Sequence, residues 1–373
     1  MLRLTSSLCF ALAFTLSCSS DDDPKAGTGG ASSGGNAGTA GAAGAAGSGG
    51  QGGSGGTAGS GGQGGSGGTA GSGGQGGAAG APAMLSQTGL YADIKQGTLA
   101  SGVRAYTPQF VLWTDGATKK RWVYLPPGQK IDTSDMDYWV YPVGTKLWKE
   151  FSRDGKRIET RLIVKTASPD VWDMVAYHWK DDQTDATSVP NGVQNASGTQ
   201  HDIPSTIDCD TCHGKMKDRG LSFTAIQLSH AGAQVSLDTL AKEGALTTPP
   251  TSPLVVPGNA TERAALGYMH ANCGVCHNDQ SFVFSVVDMR LWLSASALGK
   301  VSDTPTYLTS VNKALTSANP STGTSRIVPG KSAESDIWIR MGQRGELTQM
   351  PPLGSEDVDA TGHAAVKAWI DSL

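Results

Sequence analysis

Between residues 90 and 179 apolar and polar side chains alternate in short runs, which is the pattern of β-strands. The predicted strands cover residues 121–125, 146–151, 157–165 and 171–179. Asp154 and Gly155 suit the positive backbone torsions of a tight turn, so the second and third strands form a predicted hairpin. In the third strand Glu159, Arg161 and Lys165 alternate with apolar residues and Thr, as on a half-buried strand.

After residue 209 the pattern changes to the period of a helix. Predicted helices cover residues 234–244, 260–271 and 360–373. In the last of these, Val366, Trp369, Ile370 and Leu373 are spaced i, i+3, i+4 and i+7 and form one apolar face. The sequence therefore predicts an α+β protein, with an N-terminal β-rich domain followed by a mainly α-helical region.

Residues 19–83 carry no pattern that would bury a core. They are nearly all Gly, Ser, Ala, Thr and Gln, and the unit SGGQGGSGGTAG occurs unchanged at 48–59 and at 60–71. Without apolar side chains, burial does not offset the entropy of ordering the chain. We expect a disordered Gly-rich tether, whose root-mean-square reach would be about 40 Å for a flexible coil of this composition.

Residues 1–18 read as an export signal. Arg3 gives a positive start, and the apolar run at 8–16 is too short for a permanent membrane span. The run ends in Thr-Leu-Ser-Cys, which resembles the lipobox of bacterial lipoproteins, although that family usually has Leu at the place of Thr15. The sequence thus predicts cleavage before Cys18, acylation of Cys18 and anchoring in the cell envelope, at the outer membrane. Plain secretion, with cleavage near Ser17 or Ser20, is the alternative.

Two copies of the pattern C-x-x-C-H carry the candidate chemistry. The first is Cys209, Cys212 and His213, and the second is Cys273, Cys276 and His277. Residues at i, i+3 and i+4 share one face of a helical turn, so two thiols can bond one porphyrin while the imidazole ligates its iron. Zinc held by four thiolates and a pair of redox dithiols are the alternatives, and the zinc site would leave both histidines unexplained. We expect two covalently attached c-type haems.

The sixth ligand of each iron is a separate question. Met350 precedes Pro351 and Pro352, and a proline-stiffened loop can hold its thioether near the second haem; Met341 is the next candidate. For the first haem Met216 is too close to His213 to reach the opposite side. Four other histidines are candidates for this ligand, namely His178, His201, His230 and His270. An iron without a sixth protein ligand is a further alternative. His363 is expected on the surface at a helix start.

The chain resembles a family of bacterial diheme c-type cytochromes that join an N-terminal β region to two C-x-x-C-H motifs. The likeness covers roughly residue 90 to the C-terminus and rests on YPVGT at 141–145, IETR at 158–161, YMHANC at 268–273, DMRL at 288–291, VPG at 328–330 and MPP at 350–352. The tether resembles those of myxobacterial lipoproteins. The resemblance implies haem binding, electron transfer and, for the C-terminal part, a class I-like cytochrome in which two helices cross.

The predicted organisation is a signal peptide at 1–18, a linker at 19–83, a β-rich domain at 84–190, a first haem-attachment region at 191–256 and a class I-like cytochrome domain at 257–373. The net charge of −4 does not indicate nucleic acid. We expect one-electron transfer with a redox partner protein or a small donor or acceptor. The rival hypotheses are a diheme peroxidase with an open first haem, and a β domain that binds a ligand with the haems serving it.

Overall fold

The computed structural model describes residues 81–316 and 323–373. The predicted signal peptide, the lipid-anchor residue Cys18 and nearly all of the predicted tether lie outside the described residues. From residue 81 onwards the chain belongs to one compact unit. Among the described residues, no helix has the length and apolar character needed to cross a membrane.

The β-rich part contains a six-stranded antiparallel meander and a small two-stranded sheet. The hairpin turn lies where the sequence predicts it, with Asp154 at φ 48° and Gly155 at φ 76°. All four predicted strands are present, with shifted ends. The small sheet pairs β1 with β2, and strands β3 to β8 form the meander in chain order; the strands are β1 Tyr91–Asp93, β2 Thr98–Leu99, β3 Val103–Ala105, β4 Thr118–Tyr124, β5 Lys146–Arg153, β6 Lys156–Ala167, β7 Val171–Trp179 and β8 Ala186–Ser188.

One face of the meander is covered by the chain that precedes it. Trp122, Trp148, Leu162 and Val175 lie opposite one another in β4 to β7 and pack into one apolar cluster with residues of the segment 85–103. Trp148 and Trp179 are among the largest fully buried side chains, so the tryptophans of this region mainly form core.

The opposite face of the meander packs against the helices. Val123, Leu147 and Ile163 belong to the same buried cluster as Leu266 and Trp369 of the helical part. Because both faces are covered, the expectation of a half-buried β6 is wrong. Glu159 and Lys165 are 0% and 1% exposed, and their charges lie inside the protein.

The helical part contains short helices and two longer ones. They are α1 Thr206–His213, α2 Ala225–Leu228, α3 Leu237–Lys242, α4 Ala260–Asn272, α5 Phe282–Val287, α6 Pro305–Ser310, α7 Asp336–Met341 and α8 Ala360–Ser372. Helices α4 and α8 pack against each other, as the sequence predicts. Gly362 allows this close approach, since a Cβ there would lie 1.9 Å from the Tyr268 ring.

A buried polar cluster joins the sheet to the loop after α1. Asp218 accepts hydrogen bonds from Lys165 Nζ at 2.6 Å, from Trp172 Nε1 at 2.8 Å and from the Tyr141 backbone at 2.6 Å. The Lys165 and Asp218 side chains are each 1% exposed. Such a fully bonded pair fixes the loop on β6 and β7.

Candidate functional site

Helix α1 presents the first motif. Ser205 caps the helix: its hydroxyl accepts from the Asp208 backbone at 3.3 Å, and its own N–H donates to the Asp208 carboxylate at 3.0 Å. The helix places Cys209, Cys212 and His213 on one face, as predicted, and all three line the same cavity.

The imidazole of His213 is oriented for ligation. Its Nδ1 lies 2.6 Å from the Arg219 carbonyl oxygen, so Nδ1–H donates and Nε2 is the nitrogen left for a ligand. Burial lowers the pKa of His213 to about 4, which keeps the ring neutral, the form that binds iron.

The second motif lies on a turn directly after α4. Cys273 ends the helix, and its carbonyl accepts from the backbone N–H groups of Cys276 at 3.0 Å and His277 at 2.9 Å. Gly274 is required in this turn because a Cβ there would lie 2.6 Å from the His270 carbonyl oxygen. Cys276 and His277 line the cavity, whereas Cys273 packs against the core at its edge.

His277 resembles His213 in its burial but not in its bonding. Burial lowers the pKa of His277 to about 4, and the charge of Arg326 acts in the same direction. Among the described residues its buried Nδ1 has no hydrogen bond of good geometry, although the Met289 carbonyl is close enough to offset part of the fall in pKa.

Both motifs face one cavity of about 910 Å³, although 64 residues separate their first cysteines. This volume lies near the upper end of ligand pockets, roughly 300–1,000 Å³. Cys212 and Cys276 are near enough for the charge of Cys212 to raise the pKa of Cys276. Porphyrins attached to the two motifs would therefore lie next to each other.

Met350 also lines the cavity. It is half-buried in the segment between α7 and α8, and its backbone N–H donates to the Arg340 carbonyl at 3.0 Å. Its predicted partner His277 thus shares the same cavity. Met341, the other candidate, is a core residue with 5% exposure and does not line the cavity.

Of the four imidazoles considered for the first haem, His201 is the one that lines the cavity. His178 pairs with Ser197 and His230 with the Thr107 carbonyl. His270 is fully buried and accepts from the Leu293 backbone at 3.1 Å. None of these three contributes to the cavity wall.

Two other predicted residues are also placed. Met216 packs with Val275 and Cys276 and is not itself among the residues that line the cavity. His363 does lie at the start of α8, but it is half-buried against Trp338 and its Nε2 donates to the Trp338 carbonyl at 2.9 Å. The expectation of a surface position is therefore wrong for this side chain.

His201 belongs to a buried polar group that the sequence did not reveal. Its Nε2 lies 2.8 Å from Glu159 Oε2, and Arg161 pairs with both carboxylate oxygens of Glu159. Burial alone would raise the pKa of Glu159, but the Arg161 charge and the bond from His201 hold it below its ordinary value. No local pattern marks residue 201, which lies in an irregular loop.

The cavity suits a covalently held porphyrin in three respects. The four thiols are free, and burial raises the pKa values of Cys273 and Cys276 to about 12 and 11, which makes them poor thiolates for dithiol exchange. Both motif imidazoles are neutral. Two exposed apolar side chains also line the cavity, Phe282 of α5 at 69% exposure and Leu353 of the α7–α8 segment at 46%.

No group of three or more His, Cys, Asp and Glu side chains among the described residues is arranged to hold a metal ion. A haem iron needs only one or two protein ligands, because the porphyrin nitrogens supply the other four.

Comparisons of the chain with protein-family profiles, with curated proteins and with solved structures found no match.

Proposed function

We propose that this chain is an exported, lipid-anchored diheme c-type cytochrome that exchanges single electrons with a redox partner protein or a small donor or acceptor. The observation that supports it best is that both C-x-x-C-H motifs face one cavity, which all of their cysteines and histidines except Cys273 line. A c-type haem supplies iron that cycles between its ferric and ferrous states. Cys18 would tether the protein to the cell envelope, at the outer membrane.

The residues that would ligate iron differ between the two sites. His277 and Met350 share the cavity, and a thioether ligand favours reduced iron, so this pair would give the higher potential. His213 and His201 would both ligate the iron of the first haem. His201 would do so through Nδ1, because its Nε2 is hydrogen-bonded to Glu159. Two imidazoles favour oxidised iron more than His and Met do, so the two potentials would be well separated.

The haem stain and the intact mass test this function directly. The exported protein should stain for haem on a denaturing gel, and its mass should exceed that of the mature chain by two haems. Replacing Cys209 and Cys212 by Ala should remove one haem, and replacing Cys273 and Cys276 should remove the other. A colourless wild-type protein would refute the proposal.

A peroxidase-like enzyme is the second candidate, and the pairing of His201 with Glu159 favours it. A polar acid–base group in the cavity is what such an enzyme needs beside an open haem. In this case His201 would not bind iron. The absorption spectrum of the oxidised protein separates the two, because a carrier gives two low-spin haems and negligible turnover with hydrogen peroxide. A high-spin signal that shifts with cyanide, with peroxide-dependent oxidation of a donor, would favour the enzyme.

A further inference from the structure

Three cationic side chains form a row across the meander. Arg121 of β4 lies directly opposite Lys149 of β5, which lies directly opposite Arg161 of β6. Neighbouring strands are about 4.8 Å apart, so the row spans roughly 10 Å at the backbone. All three side chains line the cavity that the two motifs face. We call this row the cation ladder.

The cation ladder is costly in the absence of an anion. Like charges directly opposite each other in a sheet destabilise it. The next row on the same face is apolar and consists of Val123, Leu147 and Ile163. Little solvent therefore reaches the charges from that side. Burial lowers the pKa values of Arg121 and Lys149, and the neighbouring cations lower that of Lys149 further.

Two members of the ladder have no carboxylate partner among the described residues. Arg121 is 5% exposed, and its Nε and one terminal nitrogen are buried without a hydrogen bond. Lys149 forms no ion pair in the described part of the chain; its ammonium lies 4.7 Å from the centre of the Phe151 ring. Arg161 alone is paired, with Glu159. A buried guanidinium with free donors on a cavity wall points to an acceptor within the cavity.

Three of the four acidic side chains on the cavity wall accept hydrogen bonds from the backbone elsewhere. Asp208 accepts from the Ser205 backbone at the start of α1, and Asp115 accepts from the backbone of the 356–357 segment. Asp202 accepts from the backbone of residue 195. Glu356 lies near Asp115 and Asp202, and burial followed by these like charges raises its pKa. None of these carboxylates forms an ion pair with the ladder.

We propose that the cation ladder is a binding site for carboxylate groups inside the cavity. With its three side chains protonated, and with Glu159 ionised, the ladder carries a net charge of +2. Two carboxylates would neutralise it, and Arg121 and Lys149 offer the free donors for them. Carboxylates have two sources here, the two propionates of a haem held by a neighbouring motif and a free carboxylate that enters from solution. The first source rests on the proposed function, and the second does not.

The test compares Arg121→Gln and Lys149→Gln with Lys120→Gln in the full-length protein. Lys120 is an exposed neighbour in β4 that does not line the cavity, so it is the matched control. If propionates occupy the ladder, the wild-type haem midpoints stay flat between pH 5 and 8. In the ladder variants one midpoint should fall, because a buried positive charge has been removed. That midpoint should then rise as the pH is lowered, since a propionate without its cation takes up a proton.

Acetate is the probe for a free carboxylate. Saturable changes in the wild-type spectrum on adding acetate, weakened at least tenfold in Arg121→Gln and unchanged in Lys120→Gln, would identify a free ligand. Flat midpoints in all variants together with no response to acetate would overturn the proposal. Lys149→Met, whose uncharged side chain is one heavy atom shorter than that of Lys, serves if the Gln variant does not fold.

Failure of the proposed function would be recognised separately. A protein without haem remains colourless in the haem stain before any ladder variant is made. In that case the ladder is tested by thermal unfolding of the colourless protein with acetate. A saturable rise of the unfolding midpoint in the wild type that Arg121→Gln abolishes would support the site, and no rise would overturn it.

Discussion

The buried pair of Lys165 and Asp218 gives the sharpest prediction of stability. Asp218→Ala would leave a 1%-exposed ammonium without its counter-charge and would also remove the acceptor of Trp172 Nε1. Removing one partner of a buried ion pair costs about 3–5 kcal/mol. A typical domain is stable by only about 5–15 kcal/mol, so the variant should lose a large share of its free energy of unfolding.

Urea unfolding of the purified protein, followed by tryptophan fluorescence, measures this loss. The matched control is Asp238→Ala, since Asp238 pairs with Lys242 in an exposed i,i+4 bridge, which is worth about 0.5 kcal/mol or less. Adding Lys165→Met to Asp218→Ala should recover part of the loss, because the buried charge is then gone. Equal midpoints for the Asp218 and Asp238 variants would refute the reasoning.

Three further predictions follow from the site and its surroundings. Met350→Ala should abolish the weak far-red charge-transfer band and lower the potential of one haem while both haems stay attached; a retained band would contradict the assignment. Cys18→Ser should move the protein from membranes to the soluble fraction, and a wholly soluble wild type would refute the anchor. Arg161 and His201 hold the pKa of Glu159 below its ordinary value of 4.5 despite burial, so this stabilisation is present above pH 4.5 and is lost as the pH falls through the lower folded value. The unfolding midpoint of the wild type should thus fall more steeply below pH 4.5 than that of Glu159→Gln, and parallel curves would count against it.

The local patterns predicted the elements well, because period and turn chemistry act over short distances. The hairpin at Asp154, the helix before Cys273 and the C-terminal helix are all where the sequence predicts them. The motifs and Met350 were named from the sequence, and all but Cys273 line the cavity.

Contacts between residues that are distant in the sequence could not be predicted from these local patterns. Alternation along β6 shows that Arg161 and Glu159 share one face, but not that helices cover this face. Arg121 lies opposite Lys149 because of the register in which β4 and β5 pair. The sequence around neither residue indicates that register. His201 is brought to the cavity by an irregular loop, so only the folded chain distinguishes it from the other imidazoles.

The continuous core limits how this protein can be divided. Val123 of the sheet and Trp369 of the last helix belong to one buried cluster, so a cut between the β-rich and helical parts would expose apolar surface on both fragments. We therefore expect that neither part folds as an independent domain. Limited proteolysis of the full-length chain should therefore leave one resistant fragment that carries both motifs, rather than a separate β-rich fragment and a separate helical fragment.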